Sequence, residues 1–219
     1  MKNNSRSADF QSAVPRTCSP QADGISVRNR GYLPHFEMPD GRYFVTFRLA
    51  DSLPQEVYRK LQNERQQALN AAQNSGARAT IVELNRVAEA YSLRLDAYLD
   101  EGKGSSALRN AEAAQIVADA LHFFDCDRYR LHAWCVMPNH VHAVLQPLGD
   151  HGLSKIMQSL KRFTAREINR ISGKTGGFWQ PEYYDHLIRD ENDLWTKIRY
   201  VLENPARAGL RDWPWSGAE

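Results

Sequence analysis

His140-Val141-His142 sets two imidazoles in an alternating run that continues through Ala143-Val144-Leu145, just after an apolar run that ends at the turn-like Pro138-Asn139. This pattern predicts two adjacent antiparallel strands joined at Pro138-Asn139. On a strand, residues two apart share a face and stand roughly 7 Å from each other, so both imidazoles can tilt onto one metal ion. Val141, Ala143 and Leu145 point the other way and can pack on helices, which leaves the histidines on an open face where a large ligand can lie. Taken alone, such a pair is more often a surface or half-buried pair with no metal, and its neighbours must decide.

A second group lies in the last helix, which Asp190 caps and Pro205 stops after about Asn204. At 100° per residue, Leu194, Trp195, Ile198, Val201 and Leu202 form the stripe expected to be buried, and Tyr200 falls roughly 160° from its centre. Asn204 is one turn beyond Tyr200 and Lys197 one turn before it. A phenol, an amide oxygen and a cation therefore share one helix face. A solvent-exposed tyrosine with an asparagine terminating its helix would leave the same trace.

Other elements must carry these groups. Tyr43-Phe44-Val45-Thr46-Phe47-Arg48-Leu49 reads as the first strand, after the turn-like Pro39-Asp40-Gly41. Asp51-Ser52-Leu53-Pro54 closes it and leads into a helix from about Gln55 to Asn74. A second helix is expected from about Thr80 to Leu99, with Leu84, Val87, Ala88, Tyr91, Leu95 and Tyr98 at helical spacing. Together they predict a helical hairpin, followed by the flexible Gly102-Lys103-Gly104-Ser105-Ser106. A helix marked by Ala113, Ile116, Val117, Ala120, Leu121 and Phe124 precedes the histidine strands. Another starts at Leu153 and carries Lys155, Arg162, Arg166 and Arg170 as a basic stripe, with Lys161 nearby. Such a stripe fits a solvated face or phosphate contact. Phe178 to Arg189 reads as loop into strand. The order of elements predicts an α+β domain whose antiparallel sheet carries helices on one face.

With 219 residues, one well-buried domain with an insertion is the expectation. Three cysteines without C-x-x-C spacing argue against a disulfide framework and a cysteine zinc site. A net charge of +2 is too small to imply nucleic acid without clustering. The absence of a long apolar run or leader pattern points to a cytoplasmic protein with no membrane partner. Residues 1–29 read as a disordered tail, 30–212 as one domain with a helical insertion at about 55–104, and 213–219 as a C-terminal tail.

The set His140-Val141-His142 with Tyr200 and Asn204 resembles the HUH single-tyrosine transposases, and more narrowly the REP-associated tyrosine transposases. The likeness extends to Gly31-Tyr32-Leu33-Pro34-His35-Phe36, Phe44-Val45-Thr46-Phe47-Arg48-Leu49, Trp134 to His142, Trp179-Gln180-Pro181-Glu182-Tyr183-Tyr184-Asp185-His186 and Tyr200 to Leu210. It implies a ferredoxin-like sheet bearing the histidine pair, with a helix that brings the nucleophilic tyrosine to it. It also implies a divalent cation, Mg²⁺ or Mn²⁺, held by His140, His142 and Asn204, the last standing where many relatives have glutamine. Lys197 is a candidate for support of the phenolate or phosphate. Tyr200 would attack a DNA phosphate and give a 5′-phosphotyrosine and a free 3′-hydroxyl.

The implied substrate is single-stranded DNA folded into REP-type hairpins, with the enzyme near the nucleoid. Residue type nominates Arg30, Tyr32, Lys155, Lys161, Arg162, Arg166 and Trp179 for DNA contact, although core packing is the commoner fate of Tyr32 and Trp179. A single chain is expected to suffice, with a dimer as the alternative. The competing readings are a hairpin-binding protein that does not cut and a metal-dependent hydrolase that uses water.

Overall fold

The structure, a computed structural model, describes residues 26–30, 33–74, 81–102 and 104–219. The central sheet uses β3 (Tyr43–Arg48), β4 (Tyr129–Val136), β5 (His140–Pro147), β6 (Tyr184–Leu187) and β7 (Ser216–Ala218) in the antiparallel order β6-β3-β5-β4-β7. Without β7, the first four strands stand in the order fourth, first, third, second, which is the ferredoxin-like arrangement that the resemblance implied. β1 (Ser26–Arg30) and β2 (Leu33–Glu37) form a separate antiparallel ribbon.

Strand alternation divides the sheet into two faces. Tyr43, Val45, Phe47, Leu131, Val141, Ala143 and Leu145 point into the main core. Against it pack α3 (Ala111–His122), through Ala114, Val117 and Leu121, and α4 (Leu153–Ser172), through Leu153, Ile156, Met157 and Leu160. The Asn110 side chain caps α3 by accepting from Ala113 N at 3.0 Å, and Gly173, at φ 64°, ends α4 in the left-handed conformation that glycine adopts most easily.

The opposite face carries His140, His142 and Thr46, but it also carries Phe44, Ala133, Cys135 and Val144. That much apolar surface has to be covered. Helix α5 (Glu191–Arg207) lies over it through Leu194 and Val201, and Ala88 of α2 (Ile81–Asp100) joins the same cluster. The expected open face is therefore closed. The helices that complete the ferredoxin-like unit do sit on one side, as expected, and α5 and α2 form a further layer on the other.

The helical hairpin is present as α1 (Gln55–Asn74) and α2, with its own cluster of Leu53, Leu61, Tyr91, Leu95 and Leu99. Its ends meet at a neck where Ser105 N donates to Asp51 O at 2.9 Å.

Three expectations need correction. Residues 26–29, given no fold by their composition, belong to β1, because a strand is completed by a partner elsewhere in the chain. Residues 213–219 are no free tail: β7 pairs with β4, and Trp213 Nε1 donates to Val136 O at 2.7 Å. Helix α5 runs through Pro205 to Arg207, since a proline in the last turn forfeits little more than its own N–H.

Candidate active site

Across the sheet, Thr46 is opposite His142 and Arg48 opposite His140, while Cys135 flanks His142 from β4. This pairing puts both imidazoles in the middle of the sheet. Their Nε2 atoms converge to 3.0 Å. The outer nitrogens are held separately: His140 Nδ1 lies 2.7 Å from Asn139 Oδ1, and His142 Nδ1 lies 2.8 Å from Thr46 Oγ1. Asn139 Nδ2 donates to Leu99 O at 2.8 Å, which fixes the amide with its oxygen toward His140. Because that oxygen only accepts, His140 carries its proton on Nδ1 and turns a lone pair of Nε2 into the gap. Phe44 stacks on His142 with centroids 5.4 Å apart.

Both rings are fully buried. Burial holds the His140 imidazole down to about 3, against a raising contact from Asn204, and burial first, then the neighbouring His140, holds His142 well below its ordinary value. Neutral rings are what metal ligation needs.

The buried arc of α5 differs from the expected one. Trp195 is 64 % and Leu202 40 % exposed, whereas Asn204 is buried and Lys197 and Tyr200 are half-buried. The helix is rotated by roughly a quarter turn from the hydrophobic stripe, so that the face bearing Tyr200 and Asn204 meets the sheet. Tyr200 packs edge-on against His142, with centroids 5.5 Å apart, and against Phe44 at 5.7 Å. The Arg207 guanidinium lies 5.2 Å from its ring. Asn204 lies beside His140, and its Oδ1 is buried with no hydrogen-bond partner. Lys197 is engaged elsewhere: its Nζ donates to Glu89 at 2.8 Å and sits 5.6 Å from the Phe44 ring.

The sequence reading did not include Asp96. This α2 carboxylate is 4 % exposed and accepts the Tyr200 hydroxyl at 2.6 Å through Oδ2, while Oδ1 is buried with no partner. Donor atoms of Asp96, His140 and His142 lie within 4.8 Å of one another. Burial pushes the Asp96 carboxyl up to about 7, although the Tyr200 hydrogen bond opposes the rise. Tyr200 is likewise held above its ordinary value, by burial and then by Asp96. A lone aspartate among exposed Arg94 and Asp100 looks like solvated helix surface in a sequence, which hid it.

The donor chemistry fits a divalent cation. Two nitrogens each about 2.1 Å from one ion and at right angles are about 3 Å apart, and Asp96 and Asn204, each with a buried Oδ1 that has no hydrogen-bond partner, lie near the pair.

The DNA-contact candidates do not gather here. Tyr32 and the side chain of Arg30 fall outside the described residues. The α4 residues belong to the layer behind the sheet. Lys155 and Arg162 are exposed, and Arg166 and the neighbouring Arg170 both bind Glu167. Lys161 donates to Gln180 O at 2.6 Å and Pro181 O at 2.7 Å, and burial lowers its ammonium to about 8. Trp179 is a core residue, donating to Thr164 Oγ1 at 2.9 Å and packed on Phe47.

Residues 109–204, which span α3 to the Asn204 turn of α5, match the family model of IS200-like transposases. The resemblance to the REP-associated tyrosine transposases holds. A Haemophilus influenzae protein, provisionally named a REP-associated tyrosine transposase, is 31% identical over 107 residues, covering 42% of this chain and 61% of the relative. The REP-associated tyrosine transposase of Escherichia coli K12 is 29% identical over 93 residues, 40% of this chain and 53% of that one. The chain thus spans between half and two thirds of the length of these relatives. A solved REP-associated tyrosine transposase bound to a REP hairpin is 21% identical, with a TM-score of 0.48 and coverage of 87% of this chain and 81% of the other. Among the described residues, no helix is long and apolar enough to cross a membrane.

Proposed function

We propose that this chain cuts and rejoins single-stranded DNA at REP-type hairpins, with Tyr200 as the nucleophile, as the resemblance implies. The observation that carries this reading is the packing of Tyr200 against His142, whose Nε2 meets that of His140, within one chain. His140, His142 and Asn204 would hold a divalent cation, Mg²⁺ or Mn²⁺. Bound there, it would polarise a non-bridging phosphate oxygen and stabilise the charge that grows at phosphorus.

The protein's own groups do the rest. Thr46 and Asn139 keep the two imidazoles in one orientation. Phe44 walls off water beside His142 and gives Tyr200 an edge to pack against. Asp96 receives the proton side of the Tyr200 hydroxyl and so points its oxygen lone pairs elsewhere. Attack by Tyr200 Oη, with its proton passing to the Asp96 carboxylate that accepts it, forms a P–O bond, breaks the bond from phosphorus to the 3′-oxygen, and leaves that oxygen to take up a proton as the 3′-hydroxyl. The phosphotyrosine conserves the phosphodiester's energy, so the same groups can run the step backwards onto another 3′-end.

The test is labelled hairpin DNA incubated with the protein and Mn²⁺. A covalent adduct that disappears in Tyr200→Phe supports the reading. Binding without an adduct under either metal favours the non-cutting binder, and nicking that survives Tyr200→Phe favours a water-using hydrolase.

A further inference from the structure

The inserted hairpin touches the histidine site at two separate points. At the first, the Leu99 carbonyl of α2 fixes the Asn139 amide, which in turn fixes His140. At the second, Asp96 takes the Tyr200 hydroxyl at 2.6 Å. One turn of helix, from Asp96 to Leu99, thus governs both an imidazole and the phenol. A third contact, between Glu89 and Lys197 at 2.8 Å, fastens the same face of α2 to α5.

Burying a carboxylate with one oxygen unpartnered is costly, and a protein that keeps one usually has a counter-charge for it. Among the described residues no basic side chain is bonded to Asp96: Lys197 and Arg207 act on it through their charge, and Lys197 is already paired with Glu89. Donor atoms of the two imidazoles lie within 4.8 Å of it.

We propose that Asp96, delivered by the inserted hairpin, is a positioning residue for Tyr200 and adds a carboxylate ligand to the cation site of His140 and His142. The hairpin is then a working part of the site. This rests on the metal-dependent reading above and goes beyond it, because the ligand comes from an element outside the matched segment 109–204. Oδ2 holds the phenol that packs against His142, and Oδ1 is left without a hydrogen-bond partner. A hard carboxylate oxygen beside two imidazoles also favours Mn²⁺ over softer ions.

Manganese titrated into the full-length protein, followed by the electron paramagnetic resonance of free Mn²⁺, tests this without DNA. The wild type is expected to bind one ion, and Asp96→Asn, which keeps the shape, to bind it at least tenfold more weakly with an unchanged circular dichroism spectrum. Asp96→Glu, which keeps the charge, should fall between the two. In single-turnover assays Asp96→Asn should slow adduct formation at saturating DNA and leave DNA affinity unchanged. Equal Mn²⁺ affinity and an equal adduct rate in Asp96→Asn overturn the proposal. If His142→Ala abolishes Mn²⁺ binding and Asp96→Asn does not, Asp96 is excluded as a ligand and the histidine reading stands. If the wild type binds no Mn²⁺ at all, both fail.

Discussion

Thr46 and Asn139 decide which nitrogen of each histidine faces the gap, although neither side chain reaches it. Thr46→Val removes the 2.8 Å partner of His142 Nδ1 and keeps the shape of the side chain. Losses of such supporting groups typically weaken a metal site about 10–100-fold. We expect Mn²⁺ affinity at the lower end of that range to be lost, with the fold intact by circular dichroism; unchanged affinity would show that the ring needs no such partner. Arg65 provides a contrasting residue. It is 5 % exposed, its Nη2 has no hydrogen-bond partner, and it is compensated by the Tyr91 ring at 5.7 Å and the charge of Glu182. Because an ill-compensated buried charge is worth little to stability, Arg65→Met should leave urea-denaturation stability unchanged or raise it. A loss above about 2 kcal/mol would mean that the guanidinium is better solvated than its contacts indicate.

Helix α5 is positioned from its first turn. Asp190 accepts from Asp193 N at 2.8 Å, and Asp193 in turn receives His186 Nε2 at 2.9 Å and Arg189 N at 3.1 Å. Burial raises the Asp193 carboxyl, but the bond and charge of His186, with the Arg189 bonds, outweigh it and hold Asp193 well below the usual carboxylate range. A depressed folded value means that this stabilisation is complete above the unfolded carboxylate value of about 3.9 and fades as pH falls through the folded one. Asp193→Asn should therefore cost about 1.5–3 kcal/mol near neutral pH, by the usual worth of hydrogen bonds to a charged group, and little in strong acid. An equal loss at both ends of a pH series of melts would contradict the linkage. The hairpin neck offers another test at this scale: a Cβ on Gly104 would overlap the backbone of Ser52. Gly104→Ala should lower stability and Mn²⁺ affinity together, since it shifts the element that carries Asp96; lower stability with full affinity would separate the neck from the site.

Most of the fold was legible where local pattern and caps agree. The spans of α1 and α4, the strand over Tyr43–Arg48 and the histidine strands follow from spacing, and Pro138-Asn139 does make the turn between them. What escaped depends on partners remote in sequence. Ser216–Ala218 has no strand composition, and only β4 makes it one. Trp195 and Leu202 look like core residues, yet the sheet beneath α5 presents imidazoles, and the helix turns its polar, tyrosine-bearing face to them. His140, His142, Tyr200 and Asn204 were identifiable as a set, while Asp96 was not, because nothing local separates it from surface carboxylates. The hairpin's small private cluster also predicts its dynamics: amides of α1 and α2 should exchange hydrogen faster than those of β3 and β5, whose side chains fill both layers. Equal protection would make the hairpin one cooperative unit with the sheet.

The central claim is that one phenol performs the chemistry. Protein incubated with Mn²⁺ and a single-stranded hairpin oligonucleotide, then digested and sequenced by tandem mass spectrometry, tests it most directly. The account predicts a nucleotide mass on the peptide containing Tyr200, fragmenting at that residue and linked through the 5′-phosphate. The same mass on any other side chain, or cleaved DNA with no modified peptide, would contradict it.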